Sequence, residues 1–431
     1  MKSNQGTHAA EGPHPVVREG AAPLSSVREQ FMQHDKSSKA PLSRRGGRQD
    51  SRAPEVSRRR LLRYLAPGAL AAGAVAVVAR PAAAATTDSP TLQSITGWAS
   101  VEDYGGDKTG STDSSAAFAA AAATGAPLFV PPGRWLLDGA QPVVLAAAGQ
   151  EIRGSGAGVT QIIVGSGVRG QAVACTGRAT GVRDLLFSGA SGSTADAVAL
   201  CGQASAVSGL WFEGLGGWMV RVQDCMGARI SHCASNVTCA GGVTVQGPSG
   251  GTTMQVMLSD LNLQQVGRLG AFLFENAFDI QAVNLNAAVL DTSGASTLAI
   301  TGNCATIQLV NSDLGVYPNG SGNTAVIEID GGTDIRFLGG CAQDGANGLR
   351  MTGGSRVLFS GVRFFRNFGI GALASGGSVT FADCEWDGNG RSGGTWYDLA
   401  VTGATSATVR GYSGLSKKPY IGAQAHVTLV P

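Results

Sequence analysis

Glu328 and Asp330 stand two residues apart around Ile329, in the run Ala325-Val326-Ile327-Glu328-Ile329-Asp330. Alternate side chains of an extended strand share a face, so the two carboxylates point the same way, about 6–7 Å apart along the strand. Two carboxyl groups about 6.5–9.5 Å apart suit inverting hydrolysis of a glycosidic bond: one donates a proton to the leaving oxygen and the other activates water. Arg350 and Arg221 are of the type that grips an acidic sugar's carboxylate with a two-pronged fork. Glu275, Gln246 and Gln223 are further polar residues at outward positions of alternating strands. A second pair, Glu385 and Asp387, straddles Trp386, and the insert after it carries Trp396 and Tyr397, which would form an aromatic wall. Two other readings use the same residues. Glu275, Glu328 and Asp330 could grip Ca²⁺ with Arg350 as the base of a lyase, because hard cations take clustered oxygens. Or all of them are solvated face residues joined in cross-strand pairs.

What must position these groups is a repeat. From about Val182 the chain recurs as apolar, two residues, apolar, one residue, apolar: Val182-Leu185-Phe187, Val207-Leu210-Phe212, Leu258-Leu261-Leu263, Phe359-Val362-Phe364 and Phe381-Cys384-Trp386, with weaker copies from Ile230, Ile280, Leu309, Phe337 and Val409. The period lies in the range of solenoids. Two residues into each copy stand Asp184, Gly209, His232, Asp260, Ala282, Asn311, Gly339, Gly361, Asp383 and Gly411. Most of these tolerate positive φ, so each makes a sharp corner between two short strands. A second alternating strand follows in each copy, such as Val198–Leu200 or Ile327–Ile329, and ends at another corner, such as Gly202, Asp224, Asn276 or Gly331. One rung cannot bury its own apolar face and must stack on its neighbours. The pattern predicts an all-β, single-stranded right-handed parallel β-helix of about ten rungs with a short N-terminal capping helix. Its outward positions put Glu275 two rungs before Glu328 and Arg350 one rung after it, at about 4.8 Å per rung. A second outward column runs through Trp211, Glu213, Asn262, Gln264, Asn284, Asn286, Asp313, Gln343, Arg363 and Phe365. Long inserts, Asp291–Thr297, Tyr317–Thr324, Gly388–Tyr397 and Ser416–Gln424, would wall the strand that carries Glu328.

Glycine fills 64 of 431 positions and charged residues only 14% of the chain, which fits a turn-rich β protein with an adequate apolar core. The formal charge of +2 is misleading, because residues 1–85 hold fourteen Lys/Arg against six Asp/Glu, and the remainder holds eighteen against twenty-four, a balance of −6. That argues against a nucleic-acid partner, which wants a basic face. Of five histidines only His232 and His426 lie beyond residue 85, and His232 falls at a corner position, which suits a structural role. The eight cysteines form no C-x-x-C pair. Cys175, Cys233 and Cys384 fall inward as small hydrophobes, and Cys201–Cys225, on neighbouring rungs, is the one bridge worth testing.

Residues 1–56 read as a disordered extension. Ser57-Arg58-Arg59-Arg60-Leu61-Leu62, the mild apolar stretch Leu65–Ala79 and the Ala82–Ala85 end resemble a twin-arginine export signal over 57–85. The apolar stretch is too short and too rich in Ala and Gly to span a bilayer well. The resemblance implies the twin-arginine machinery as a partner, cleavage that leaves no membrane insertion, and a periplasmic, secreted or cell-surface location. Residues 86–175 would form the cap and first rungs, and 176–431 the β-helix. Within the cap, Val101-Glu102-Asp103-Tyr104-Gly105, Thr112-Asp113-Ser114-Ser115-Ala116-Ala117-Phe118, and Leu128-Phe129-Val130-Pro131-Pro132-Gly133-Arg134-Trp135-Leu136-Leu137 follow in an order similar to the opening of the pectate-lyase superfamily, the rhamnogalacturonase/epimerase-like group of right-handed parallel β-helix proteins. An Ala-rich helix is expected there, N-capped by Thr112 or Asp113 and stopped by Gly125.

That resemblance implies a polysaccharide as partner and leaves the activity open, since the group holds hydrolases, lyases, epimerases and adhesins. The N-T-D, D-D, G-H-G and R-I-K motifs of polygalacturonase-like enzymes are absent, as are the D-P-H-D of alginate epimerases and the R-x-P-x-x-R of calcium pectate lyases. The reading that follows is an exported protein cleaving glycosidic bonds of a polysaccharide, with an acidic one as an option, by paired-carboxylate hydrolysis, with no cofactor. Its alternatives are a non-catalytic glycan-binding surface or tailspike-like adhesin, in which a homotrimer is an option, and a calcium-dependent polysaccharide lyase.

Overall fold

The computed structural model describes residues 97–248, 253–317, 324–393, 396–415 and 419–430. The chain divides into two units, residues 1–83 and 84–431. The extension read over 1–56 and the export signal read over 57–85 lie outside the described residues. Among the described residues no helix is long and apolar enough to cross a membrane.

Residues 99–430 wind into a right-handed parallel β-solenoid of about twelve turns. The ten copies legible from Val182 are preceded by earlier turns whose strands include Gly133–Leu137 and Thr160–Val164. Three parallel sheets run the length of the stack. Sheet A holds the strand before the first corner (Gly181–Arg183, Ala206–Ser208, Arg229–Ser231), sheet B the strand after it (Leu186–Gly189, Trp211–Glu213), and sheet C the second alternating strand (Asp196–Leu200, Trp218–Gln223). Between Met254 and Gln343 the strand pairing runs on through the corners without a break: Met254–Glu275, Phe278–Leu290, Leu298–Tyr317 and Ala325–Gln343.

The first corner is where the sequence placed it. Asp184, His232, Asp260, Asn311 and Asp383 have φ of 58, 53, 54, 51 and 53°, and Gly209, Gly339, Gly361 and Gly411 join them. One position is corrected: Ala282 is fully buried, and the corner of its rung is Asn284, at φ 55°. Leu258 pairs with Ala282 and Leu261 with Leu285, so the copy reads Ala282-Leu285-Ala287, and its two alanines disguised the apolar spacing. Stacked corners bond to one another: Asn284 Nδ2 donates to Asp260 Oδ1 at 2.9 Å and Asn311 Nδ2 to Asn284 Oδ1 at 3.0 Å. Where glycine follows aspartate in this column it leaves room for the carboxylate, since a Cβ on Gly411 would stand 2.1 Å from Asp383 Oδ1. A further corner, between sheets C and A, also uses positive φ, at Ala179, Ala204, Gln255, Asp279, Thr306, Asp334 and Arg356.

Inward positions stack like on like. Phe359 lies between Phe337 and Phe381, at ring-centroid distances of 4.5 and 5.5 Å, and Phe364 stacks on Trp386 at 4.7 Å. Such offset aromatic contacts add to the burial of each ring. At the N-terminal end the helix α1, Ser115–Ala123, lays Phe118 edge-on to Trp135, both fully buried. Its N-cap is Ser114 rather than Thr112 or Asp113. Asp113 ends the preceding strand, yet its Oδ1 still accepts from the Ser115 amide at 2.9 Å and from the Asp138 amide at 2.9 Å, tying helix to first rung. Gly125 stops the helix at φ 74°, and buried Gln150 donates to the carbonyls of Ala122 and Ala126 just before and after it.

All eight cysteines are free thiols, Cys201 and Cys225 included. Cys225 is fully buried and its Sγ donates to Gly202 O. Burial pushes the Cys175 and Cys233 thiols up to about 12.

Candidate functional site

Sheet C presents two outward lines of side chains. In one, strand register runs Arg221, Thr244, Leu273, Ala299, Glu328, Arg350, Leu373, Ala400, Tyr420. In the other it runs Gln223, Gln246, Glu275, Thr301, Asp330. Glu328 and Asp330 thus share a face around fully buried Ile329, as the alternation requires. Glu275 lies two rungs from Asp330, with Thr301 between.

These groups are already bonded. Glu328 Oε1 accepts from Arg350 Nη2 at 2.6 Å, and Oε2 accepts from Ser296 Oγ at 2.9 Å. Ser296 comes from the insert Asp291–Thr297, so the loop sequence reasoning cast as a wall supplies a donor. Asp330 is exposed and accepts from Thr352 Oγ1 at 2.6 Å. A carboxylate has about four lone-pair sites, so Glu328 keeps acceptor capacity for a water or a sugar hydroxyl. Arg350 Nε is buried without a partner.

Arg221 belongs to a separate ladder. Its Nε donates to Asp196 Oδ2 at 2.6 Å and its Nη1 to Gln246 Oε1 at 2.6 Å, and Gln246 Nε2 donates to Glu275 Oε2 at 2.8 Å. Asp196, at 8% side-chain exposure, also takes the Trp218 amide at 2.7 Å. Sequence reasoning missed Asp196, because it opens its strand just outside the alternating run. Gln223 lies exposed, in register with Gln246.

The two residues Trp396 and Tyr397 part company. The Trp396 indole N–H donates to Gly393 O within its own insert. Tyr397 instead packs on Tyr420, with ring centroids 5.2 Å apart. Tyr420 is a missed residue of the floor: the segment read as an insert over Ser416–Gln424 contains the strand Tyr420–Ile421, which pairs with Leu399–Val401. The aromatic pair therefore ends the line that carries Glu328 and Arg350. The insert is rooted by an asparagine pair, buried Asn367 and half-buried Asn389: Asn367 Nδ2 donates to Asn389 Oδ1, and Asn389 Nδ2 to Phe364 O and Asp398 Oδ1.

The second pair lies on sheet B. Arg363 holds both members, with Nε 3.4 Å from Glu385 Oε2 and Nη2 2.9 Å from Asp387 Oδ2. Phe365 lies between Arg363 and Arg366, whose guanidinium carbons are 4.3 and 4.9 Å from its ring centroid. Arg366 and Arg391 both reach the buried Asp344. This is a cation–aromatic network that braces the sheet. His232 takes its corner, 68% exposed at the side chain, with Nε2 3.7 Å from Asp260 Oδ2.

The residues do not fit a Ca²⁺ site. Glu275 is bonded to Gln246 and two rungs from Asp330, Glu328 is bonded to Arg350, and among the described residues no group of three His, Cys, Asp or Glu side chains converges on one point.

No protein-family model matches the chain, and no curated protein matches it. Solved structures similar to it include the Agl-KA catalytic domain, at 16% identity over 83% of this chain and 70% of that one, with a TM-score of 0.45. The A-module of an Azotobacter vinelandii mannuronan C-5 epimerase is 14% identical over 77% of this chain and 97% of that one, with a TM-score of 0.37. Tailspike protein 3 of bacteriophage CBA120 is 14% identical over 77% of this chain and 61% of that one, with a TM-score of 0.43. At these levels of likeness the function has to be argued from the site itself.

Proposed function

We propose that this chain is an exported carbohydrate-active protein that lays an acidic polysaccharide along the outward face of sheet C and hydrolyses it with Glu328 and Asp330. The observation that carries the reading is the presentation of those two carboxylates on one face around Ile329, with Arg350 in register one rung on. Their spacing along the strand, about 6–7 Å, reaches the range that leaves room for a water on the far side of the sugar ring. Glu328, fixed on two sides by Ser296 and Arg350, is the base that takes a proton from the attacking water. The water oxygen bonds to the anomeric carbon as the glycosidic C–O bond breaks, and Asp330 gives its proton to the leaving oxygen. Arg350 is the candidate for the sugar carboxylate, because Arg221 is committed to Asp196 and Gln246. Tyr420 and Tyr397 offer ring faces for stacking further along the same line.

The test is purified protein against a panel of acidic and neutral polysaccharides. Hydrolysis gives new reducing ends without the ultraviolet absorbance of an unsaturated uronate, and Glu328→Gln and Asp330→Asn each abolish it. Full activity in both variants would remove the assignment. A second reading, a non-catalytic glycan-binding surface, draws on one observation: Glu275, Glu328 and Asp330 each already accept a hydrogen bond from a neighbouring rung or insert. It expects polysaccharide binding with no new reducing ends.

A further inference from the structure

Sheet A, a different face from the floor above, carries a cleft of about 460 Å³. Arg336 stands at one end and Arg410 at the other. Between them, register steps from Arg336 to Leu358, Thr380 and Thr408 on successive rungs, so two threonine side chains line the middle. The cleft's carboxylate is Asp334, and Arg356 takes it with both prongs, Nε to Oδ1 at 2.7 Å and Nη2 to Oδ2 at 2.6 Å. That hydrogen-bonded pairing, with Arg336 adding a weaker attraction, holds the Asp334 carboxyl below the usual carboxylate range. The side chains of Arg336 and Arg410 form no hydrogen bond or ion pair with another described residue. The cleft therefore holds one neutralised Arg–Asp pair and two uncompensated guanidinium groups, each with donors built for a flat oxyanion.

Spacing narrows the ligand. Three rungs at about 4.8 Å separate the two arginines by about 14 Å along the stack, and Arg410 is offset two residues further along its strand, about another 6–7 Å. A single small anion would need both side chains bent fully towards each other. A chain carrying an oxyanion on successive units meets both arginines without that, and its hydroxyls face Thr380 and Thr408. We propose that this cleft is a binding site for a polyanionic sugar chain, with sulfate or carboxylate groups of separate residues seated on Arg336 and Arg410. The site does not depend on the catalytic reading of sheet C.

Titration calorimetry on the whole purified protein tests it with four probes: an oligosaccharide of sulfated dextran, an oligogalacturonate of equal length, neutral dextran and inorganic phosphate. At least one of the two polyanions should bind, more weakly as salt is raised, while neutral dextran does not. Which of the two binds tells sulfate from carboxylate. Arg336→Gln with Arg410→Gln should weaken that binding at least tenfold, with the circular dichroism unchanged because both side chains are exposed. The same arginine-dependent loss should be seen with Glu328→Gln and Asp330→Asn already in place, which separates this site from the sheet C floor. No binding of either polyanion, unchanged binding in the arginine double variant, or equal affinity for inorganic phosphate would each overturn the proposal.

Discussion

Two arginine–aspartate pairs with the same 2.6 Å contact should differ sharply in what they contribute. Arg221–Asp196 has side-chain exposures of 28% and 8%, whereas Arg356–Asp334 has 67% and 35%. Truncating Arg221 to Ala leaves a nearly buried carboxylate with, among the described residues, only the Trp218 amide as partner. Removing one member of a buried pair costs about 3–5 kcal/mol, because the stranded charge loses its compensation. Arg221 keeps some solvent contact, so the lower end, about 3 kcal/mol, is expected. Removing Asp196 as well takes away the stranded charge, so the double variant should be less damaged than the sum of the single ones. In the exposed pair, water replaces each lost partner, and the coupling should be small and vanish with added salt. Urea unfolding of the four variants in each double-mutant cycle measures both couplings. Because a solenoid can unfold in segments, hydrogen exchange around Asp196–Leu200 and Trp218–Gln223 should report the same loss locally. Equal couplings in the two cycles would refute the argument that burial, rather than contact distance, sets the energy.

Three further outcomes are expected. Gly411→Ala forces a Cβ to within 2.1 Å of Asp383 Oδ1 at φ 52°; the left-handed backbone alone costs roughly 1–2 kcal/mol, and Asp383→Ala should restore part of the stability lost in urea unfolding. Burial pushes the Asp113 carboxyl up, but hydrogen bonds from the Ser115 hydroxyl and from the amides of Asp138, Ser115 and Gly139 outweigh it and hold it below the usual range. A depressed carboxyl stabilises the fold above its unfolded value, about 4, and that contribution is lost as pH falls through the lower folded value; the protection of α1 amides, taken relative to their intrinsic exchange rate at each pH, should therefore fall on acidification, and much less so in Asp113→Asn. Export should fail when Arg58 and Arg59 are both replaced by Lys, read as retention of the unprocessed chain in the cytoplasm; normal export would discard the leader.

Corners were legible where the chemistry of positive φ is visible in residue type. Asp184, Asn311 and Gly361 announce themselves, and aromatic columns such as Phe359–Phe381 follow from spacing alone. Of the two bends between sheets C and A, the one that ends sheet C was legible at Asp224 and Asn276, with φ of 51 and 50°, whereas the one just before sheet A was not, because Ala179, Ala204, Gln255, Thr306 and Arg356 hold positive φ without the residue types that favour it. There the stack above and below imposes the conformation, a tertiary effect that no local pattern records. The outward face of the site was likewise readable from period two, which placed Glu328, Asp330 and Arg350 together. What alternation could not show was who bonds to whom. Asp196 meets Arg221, and Ser296 meets Glu328, across rungs whose relative register depends on insert lengths. Tyr420 was lost for a related reason: a strand of only two residues looks like loop until its partner Leu399–Val401 is beside it.

A parallel stack imposes its own rule on charge. Residues in register stand about 4.8 Å apart, close enough that opposite charges on adjacent rungs pair and like charges repel. In register, this solenoid pairs Arg350 with Glu328, Arg356 with Asp334 and Arg363 with Glu385; Arg183 with Glu151, Arg221 with Asp196 and Arg363 with Asp387 pair between adjacent rungs at offset positions. Each pair brings a strand face closer to neutrality and fixes the side chains that take part. A ligand must then either break such a pair or use the groups left over. Asp330, which holds only a hydroxyl, and Arg336 and Arg410, which hold no carboxylate, are among those left over. The catalysis proposed for sheet C accordingly requires Glu328 to work while still held by Arg350, so on that proposal Arg350→Ala should lower turnover through a displaced base as well as raise KM through a lost sugar contact. A rise in KM alone would mean that Arg350 only binds, and that Glu328 keeps its place without it.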